Sequence, residues 1–238
     1  VWMAFFSGPR FDNYQDGFRF GQLGYDLVEK RGLIRYQART YLCVGSLVIP
    51  WTKHPASGLE LVRRAFDVAY RNGEIAFAGY SLERSITIGL AVGDHLAEIQ
   101  KEAEDGLAFS SKAQMGLVHA TCSAQLGLAR TLRGLNARFG LLDHEGYSER
   151  DAEHRLASEP NLGLPEFYYW VRKLQARCLA GDHSAAIDAA LNAQRLLWRA
   201  AANFEAADFH FYAALARAAA CESAAPGQKQ LHLDALAG

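Results

Sequence analysis

The stretch WVRKLQARCLAGDHSAAIDAALNAQRLL, Trp170–Leu197, decides the fold class of this chain. It contains the tripeptide Gly-Asp-His at positions 181–183, and the same tripeptide stands earlier at positions 93–95. Each copy follows a segment with a helical pattern and precedes an alanine-containing one. In such a place glycine takes the left-handed backbone conformation that ends a helix without steric cost.

The aspartate and histidine of each tripeptide allow two interpretations. A metal site would need these side chains at ligand spacing with a third and a fourth ligand converging on them. A structural joint would use Asp94 and Asp182 as N-caps, which accept hydrogen bonds from the free amides of the next helix. His95 and His183 would then pack in the first turn, and we favour this second interpretation.

Helical patterns run along most of the chain, and sustained period-two alternation is missing. In GLELVRRAFDVAYRNGE, residues 58–74, apolar residues recur at three- and four-residue spacing, which is typical of an amphipathic helix. Ser57 with Glu60 predicts a capping box for that helix, and Ser148 with Asp151 predicts a weaker one. The predicted helices are 12–31, 33–49, 57–72, 73–92, 94–112, 114–136, 148–158, 164–181, 183–200, 203–222 and 228–237.

The predicted helices repeat in pairs at intervals of about 40 residues, a period typical of helical repeats. Gly32, Gly73 and Gly116 follow the same interval and stand where one pair gives way to the next. Two segments interrupt the pattern. IPWTKHPAS, residues 49–57, has two prolines and cannot continue a helix, and residues 137–163 form an irregular, turn-rich insertion with one short helix. We therefore predict an all-α solenoid of about five helix pairs.

The stretch Trp170–Leu197 resembles a tetratricopeptide repeat. Trp170 stands near the start of the first helix, Gly181 and Asp182 form the turn, and small residues such as Ala186 and Ala190 follow in the second helix. Small residues at these places let two helices approach closely. The period is longer than the usual repeat, so this is a variant with longer helices.

A wider resemblance covers nearly the whole chain. The blocks GFRFGQLGYDLVEKRGL, RAFDVAYRNGEIAFAGYS, YYWVRKLQARCLAGDHSAAIDAALNAQRLLW and FHFYAALARAAA are similar to the helical region that follows the AAA-type ATPase domain of large bacterial sensor kinases. Those proteins join a serine/threonine-kinase-like domain, an ATPase, this helical region, a GAF sensor and a histidine kinase. The resemblance implies a role in a two-component signalling protein and brings no catalytic residue or cofactor to this segment. The start at Val1 fits a fragment of a longer polypeptide.

Composition predicts a globular, cytoplasmic module. Half of the 238 residues are hydrophobic and 21% are charged, with a formal net charge of −1. That balance provides no basic excess for nucleic acid, and no polybasic run favours direct contact with a membrane. The four cysteines stand far apart in helical contexts, so we expect reduced thiols that pack as small apolar side chains.

The insertion carries the most metal-like set of side chains. LLDHEGYSERDAEH, residues 141–154, mixes carboxylates with imidazoles. It lacks the HExxH spacing and the order of a calcium loop, so we predict a polar, solvated loop and no metal. Other enzyme motifs are incomplete. GYSLE, residues 79–83, lies inside a predicted helix, and no GxxxxGK[ST] loop occurs.

Aromatic residues point to a binding surface. In EFYYWVRK, residues 166–173, a helix must direct its aromatic side chains to several sides, so part of the cluster lies under the insertion or at a surface. In repeat solenoids the first helix of each pair lines the concave face, where partners dock. We expect the following residues on that face: Tyr80, Glu83, Thr87, Tyr168 and Gln175.

The expected function is protein–protein interaction. The chain would be a non-catalytic module and would need no cofactor. It would bind the adjacent ATPase and kinase domains, or a peptide of a partner protein. The alternative is a small-molecule or metal-binding sensor. Its pocket would lie between the insertion, the loop around Trp51 and the aromatic helix near Trp170.

Overall fold

The computed structural model describes residues 2–223 and 226–237, and within them the chain is α-helical without a β-strand. The α-helices are α1 (Trp2–Phe11), α2 (Tyr14–Arg31), α3 (Gln37–Cys43), α4 (Ala56–Arg71), α5 (Ile75–Val92), α6 (Leu96–Lys112), α7 (Gly116–Leu132), α8 (Glu149–Ser158), α9 (Gly163–Leu179), α10 (His183–Gln194), α11 (Glu205–Ser223) and α12 (Pro226–Ala237). The predicted all-α class is confirmed. Helix α1 was not predicted.

The chain divides into two compact units. The first, unit 1, comprises Val1–Cys122 with Ala201–Phe204, and the second, unit 2, comprises Ser123–Ala200 with Glu205–Gly238. Within each unit, helices pack chiefly on their neighbours in sequence, as α4 does on α5 and α9 on α10. Contacts also join next-but-one helices, such as α3 with α5 and α9 with α11.

Each unit has its own apolar core. In unit 1, Val28, Tyr41, Val62 and Ile88 bring α2, α3, α4 and α5 together. In unit 2, the fully buried residues of α10 are all alanines. The core residues of this unit are Phe167, Tyr168, Val171, Leu174, Ala186, Ala189, Ala190, Ala193, Ala200, Phe209 and Ala216. These short alanine side chains line the contact between α9 and α10.

The segment after α3 differs from the predicted helix 33–49. Residues Val44–Val48 form one π-helical turn, and Ile49–Trp51 form a 3-10 turn that ends at the proline-rich stretch. The π turn brings the backbone at Gly45 against Gly58 of α4. A Cβ on Gly58 would lie 2.0 Å from the Gly45 carbonyl oxygen, so only glycine fits there.

Replacing Gly58 with Ala should therefore lower the free energy of unfolding by about 1–3 kcal/mol, because the added methyl group overpacks two backbones. Gly116→Ala is the matched control, since a Cβ there meets nothing within 4 Å. The control should keep or slightly raise stability, as alanine favours a helix more than glycine does. Urea unfolding followed by circular dichroism measures both. Equal midpoints for the two variants would contradict the close contact.

The predicted capping signals have mixed outcomes. Ser148 caps α8, because its side chain accepts a hydrogen bond from the Asp151 amide, and the cap half of the predicted capping box is confirmed. The capping box at Ser57 is wrong. Helix α4 begins earlier, at Ala56, and Pro55 takes the cap position without a side-chain hydrogen bond. A proline with fixed φ before the first turn starts this helix instead.

The three predicted glycines lie at or next to helix joints, and two of them take the left-handed conformation. Gly32 and Gly73 have φ of 63° and 71° and follow the ends of α2 and α4. Gly116 lies next to its predicted joint but opens α7 and does not take the left-handed conformation. The left-handed position before α7 belongs to Gln114, with φ of 54°. Gly116 therefore lies beside the joint, while Gln114 takes the left-handed conformation.

Candidate functional site

The two Gly-Asp-His tripeptides form helix joints. Gly93 and Gly181 have φ of 80° and 74°, in the left-handed region that glycine favours. Asp182 is the N-cap of α10, and its carboxylate accepts a hydrogen bond of 3.1 Å from the Ala185 amide. The structural interpretation of this copy is confirmed. Within the described residues, no group of three or more His, Cys, Asp or Glu side chains comes close enough to hold a metal ion.

The first copy uses a different residue as its cap. Asp94 was predicted to cap α6, but the helix begins one residue later, at Leu96. His95 is the N-cap, and its Nδ1 accepts a hydrogen bond of 3.3 Å from the Ala97 amide. The prediction for Asp94 is therefore wrong, because the cap position depends on where the helix backbone starts and not on the tripeptide alone.

Asp182→Ala should lower the free energy of unfolding by about 1 kcal/mol through the lost cap. The repeated tripeptide supplies the control, because Asp94→Ala removes the same side chain where it does not cap a helix. Thermal or urea unfolding of the two variants measures the difference. An equal loss in both, or a change in metal content after His183→Ala, would contradict the joint.

The predicted partner-binding residues of unit 1 lie on α5. Tyr80 is half-buried beside Phe77, whereas Glu83 and Thr87 are buried. Glu83 forms a bidentate ion pair with Arg84, and both side chains are 6% exposed. Among the three, Tyr80 is the one with an accessible edge.

The predicted residues of unit 2 are also turned inward. Tyr168 lies in the apolar core of that unit. The Gln175 amide donates a hydrogen bond of 3.1 Å to the Tyr212 hydroxyl and accepts one of 3.2 Å from Arg172. A partner contact by these two side chains stays a prediction, and in this structure they serve internal contacts.

Sequence reasoning missed the polar cluster around Gln175. The guanidinium of Arg172 lies 2.7 Å from the Asp208 carboxylate and 3.6 Å from the Glu205 carboxylate, with Arg172 and Glu205 fully buried. Burial raises the pKa of the Asp208 carboxyl above its ordinary value, and the Arg172 charge opposes that rise. The available signal was an arginine inside the apolar run of α9.

A second polar cluster holds the insertion to α9. The Glu149 carboxylate lies 2.6 Å from Arg177 and 3.0 Å from Lys173, and it accepts a hydrogen bond of 2.6 Å from the Leu142 amide. The Arg177 guanidinium also donates to the Gly140 carbonyl oxygen. The predicted solvated loop is therefore wrong for Glu149. Its carboxylate is buried and paired because the insertion packs on α9.

The aromatic cluster lies partly under the insertion, as predicted. Phe167 and Tyr168 face the core of unit 2, whereas the Tyr169 hydroxyl donates a hydrogen bond of 2.6 Å to Glu153 of α8. Burial and that hydrogen bond raise the pKa of Tyr169 well above its ordinary value. Tyr169 therefore acts as a neutral hydrogen-bond donor and not as a base.

Two clefts with charged side chains in their lining lie among the described residues of unit 1. The larger, about 220 Å³, lies between α4, α5 and α6 and is lined by Arg63, Phe66, Asp67, Ser81, Leu82, Ser85, Glu102 and Asp105. The other, about 200 Å³, lies between α3 and α4 and is lined by Gln37, Tyr41, Arg64, Asp67, Val68 and Arg71. Burial and a hydrogen bond to Glu29 raise the pKa of Tyr41 to about 12.

The sensor pocket of the alternative function stays a prediction. Trp51 belongs to unit 1, where its ring contacts Tyr14 at 5.8 Å. Trp170 belongs to unit 2, where it contacts Tyr169 and Lys173. The two clefts described above lie at other places.

One face of α2 exposes apolar side chains to water. Phe20, Leu23 and Leu27 follow helical spacing and are 42%, 54% and 45% exposed. An apolar stripe of this kind is typical of a surface that contacts another protein.

The four cysteines are free, as expected. Cys122 and Cys221 are buried, and Cys43 and Cys178 are half-buried. Burial raises the pKa of Cys43 to about 11 and raises that of Cys122 further, so both stay protonated. These thiols pack as small apolar groups.

None of the described helices has the length and apolar character needed to cross a membrane. Comparison of the chain with protein-family models, with curated proteins and with solved structures found no match.

Proposed function

We propose that this chain is a non-catalytic helical repeat module that mediates protein–protein or interdomain contacts within a bacterial sensor kinase and ATPase signalling protein. The observation that carries the proposal is the packing within each unit, where most helices contact the next in sequence, as α4 contacts α5 and α9 contacts α10, and some contact the next but one. Helical repeats gain their stability from such local contacts. In this proposal the helix pairs stack as a tetratricopeptide-like solenoid.

Two further observations support a role in binding. The left-handed turns at Gly32, Gly73 and Gly181 join consecutive helices as repeats require. The stripe of Phe20, Leu23 and Leu27 presents apolar surface that a partner protein would bury. The module would act through contacts of this kind and through small rotations of helix pairs, which pass a signal from one domain to the next.

The proposed place of the chain in a signalling protein can be tested on the full-length natural polypeptide. Mass-spectrometric peptide mapping should find a Walker motif before this segment and a histidine-kinase box after it in the same polypeptide. The segment alone should hydrolyse no ATP above the level of a buffer control. A polypeptide without either domain, or saturable ATP hydrolysis by the segment that Glu149→Gln abolishes, would contradict the proposal.

A sensor of small molecules is the second candidate, and the cleft between α4, α5 and α6 favours it. Arg63 and Glu102 form an ion pair of 3.1 Å across that cleft, and a charged metabolite would compete for it. A thermal-shift screen with elemental analysis tests this function. A metabolite that raises the melting temperature in the wild type and in Arg19→Ala, but not in Arg63→Ala, would establish it. Arg19 is an exposed control on α2.

A further inference from the structure

A four-residue segment from late in the sequence packs into unit 1. Residues 201–204, Ala-Ala-Asn-Phe, form irregular turns before α11 and group with unit 1. Ala202 and Asn203 are 3% and 9% exposed. The segment therefore occupies a place within unit 1, although the rest of that unit ends at Cys122 in sequence.

Two side chains of unit 1, Trp51 and Arg84, donate hydrogen bonds to this segment. The Trp51 indole donates a hydrogen bond of 3.0 Å to the Ala202 carbonyl oxygen, which reads the backbone. The Arg84 guanidinium donates one of 3.5 Å to the Asn203 side-chain oxygen, which reads the side chain. A donor for the backbone and a second donor for one side chain give affinity and specificity in peptide recognition.

The receptor side is built in advance for this contact. Two nitrogens of Arg84 bind Glu83 at 2.9 and 2.6 Å, which fixes the plane of the guanidinium. A third nitrogen of the same group points at Asn203. A buried ion pair is costly unless its polar atoms are hydrogen-bonded, so the pair is stabilised when an amide acceptor is present. Helix α5 also carries three of the five predicted partner-binding residues, Tyr80, Glu83 and Thr87.

We infer that unit 1 carries a peptide-binding site around Trp51 and Arg84, and that residues 201–204 occupy this site as an internal competitor. The external ligand is a protein segment of the same chemistry, with small residues followed by an amide-bearing residue and an aromatic one. A tethered segment acts at an effective concentration of about millimolar, so it blocks weak ligands until it is released. This inference rests on the proposed role in protein interaction and names the recognised motif.

A synthetic peptide of residues 199–206, RAAANFEA, tests the site by fluorescence anisotropy. Asn203→Ala weakens the internal competitor, so the labelled peptide should bind this variant about tenfold more tightly than it binds the wild type. Asn192→Ala is the matched control, because Asn192 is a partly exposed asparagine of α10 whose bonds go to Asp188 and Arg195. It should behave as the wild type does. A peptide with Ala in place of its asparagine should lose the gain.

Hydrogen exchange and a second variant complete the test. Amides of residues 201–204 should exchange faster in Asn203→Ala, while those of α5 stay protected. Trp51→Phe keeps an aromatic ring but lacks the indole N–H that donates to the segment. Residues 201–204 should therefore exchange faster in this variant. The added peptide should not bind more tightly, because it loses the same donor. If Asn203→Ala fails to fold, Asn203→Ser replaces it.

Two results would overturn the inference. If the amides of residues 201–204 stay as protected from exchange as those of α5 in Asn203→Ala, these residues are a fixed part of the core. If residues 201–204 exchange faster in Asn203→Ala but the synthetic peptide does not bind this variant, the contact is not a recognition site. Neither result depends on the ATPase or kinase domains, so the inference and the proposed function fail separately.

Discussion

Replacing Arg172 with Met should lower the free energy of unfolding by about 3–5 kcal/mol, because it leaves two buried carboxylates without their positive partner. The Arg172 guanidinium lies 2.7 Å from Asp208 and 3.6 Å from Glu205. Methionine has a similar length, so the expected loss reports the charge and not a cavity. Chemical unfolding of unit 2, followed by circular dichroism, measures it.

The loss should depend on pH in a defined direction. The folded-state pKa of Asp208 is raised above its ordinary value of 3.8, and removal of Arg172 takes away the charge that opposes this rise. A group whose pKa is raised on folding contributes stability at low pH, and that contribution is lost as the pH rises through the folded pKa. The gap between the variant and the wild type should therefore narrow as the pH falls from about 7 towards 3.8.

Two further variants separate charge from packing. Arg195→Met is the control, because Arg195 is an exposed arginine of unit 2, and it should change stability by less than about 0.5 kcal/mol. Adding Glu205→Gln and Asp208→Asn to Arg172→Met removes the uncompensated charges and should restore part of the loss. If Arg172→Met alone is as stable as the wild type at neutral pH, that result would contradict the buried ion-pair cluster.

Glu149→Ala should have an effect of similar size, about 3–5 kcal/mol. It leaves Arg177 buried without its carboxylate partner and removes the acceptor of the Leu142 amide. The insertion should then detach from α9 and become sensitive to protease. Limited proteolysis and urea unfolding measure the two effects.

The insertion also offers a control and a graded variant. Glu145→Ala removes an exposed carboxylate a few residues away and should change stability by less than about 0.5 kcal/mol. Glu149→Gln keeps an acceptor for the Leu142 amide and should lie between the wild type and the alanine variant. Equal stability of Glu145→Ala and Glu149→Ala would show that the insertion is the solvated loop that the sequence predicted.

The helices could be predicted from sequence because their signals are local. Apolar spacing, the Gly181 turn and the Asp182 cap each depend on a few neighbouring residues, and the structure confirms them. The same tripeptide at 93–95 shows the limit of this reasoning. A helix start displaced by one residue moved the cap from Asp94 to His95, and tertiary packing decides such shifts.

The candidate site could not be predicted because its contacts join residues far apart in the chain. Arg172 and Asp208 are 36 positions apart, and Trp51 and Ala202 are 151 positions apart. Arg172 was the one member with a sequence signal, as an arginine inside an apolar run, and nothing in the neighbouring sequence indicates which residue it contacts. The partner-binding residues were placed by counting along repeats, which does not reveal that Glu83 and Gln175 are used internally.

The central claim is that the chain is a protein-interaction module. Isothermal titration with the ATPase domain that we propose for the same polypeptide tests it most directly. We expect saturable binding with a Kd of about micromolar, typical of a domain contact of modest area. Leu23→Asp in the exposed stripe should weaken it, while Arg19→Ala on the same helix should not. A folded chain that binds neither the ATPase domain nor the kinase domains would contradict the account.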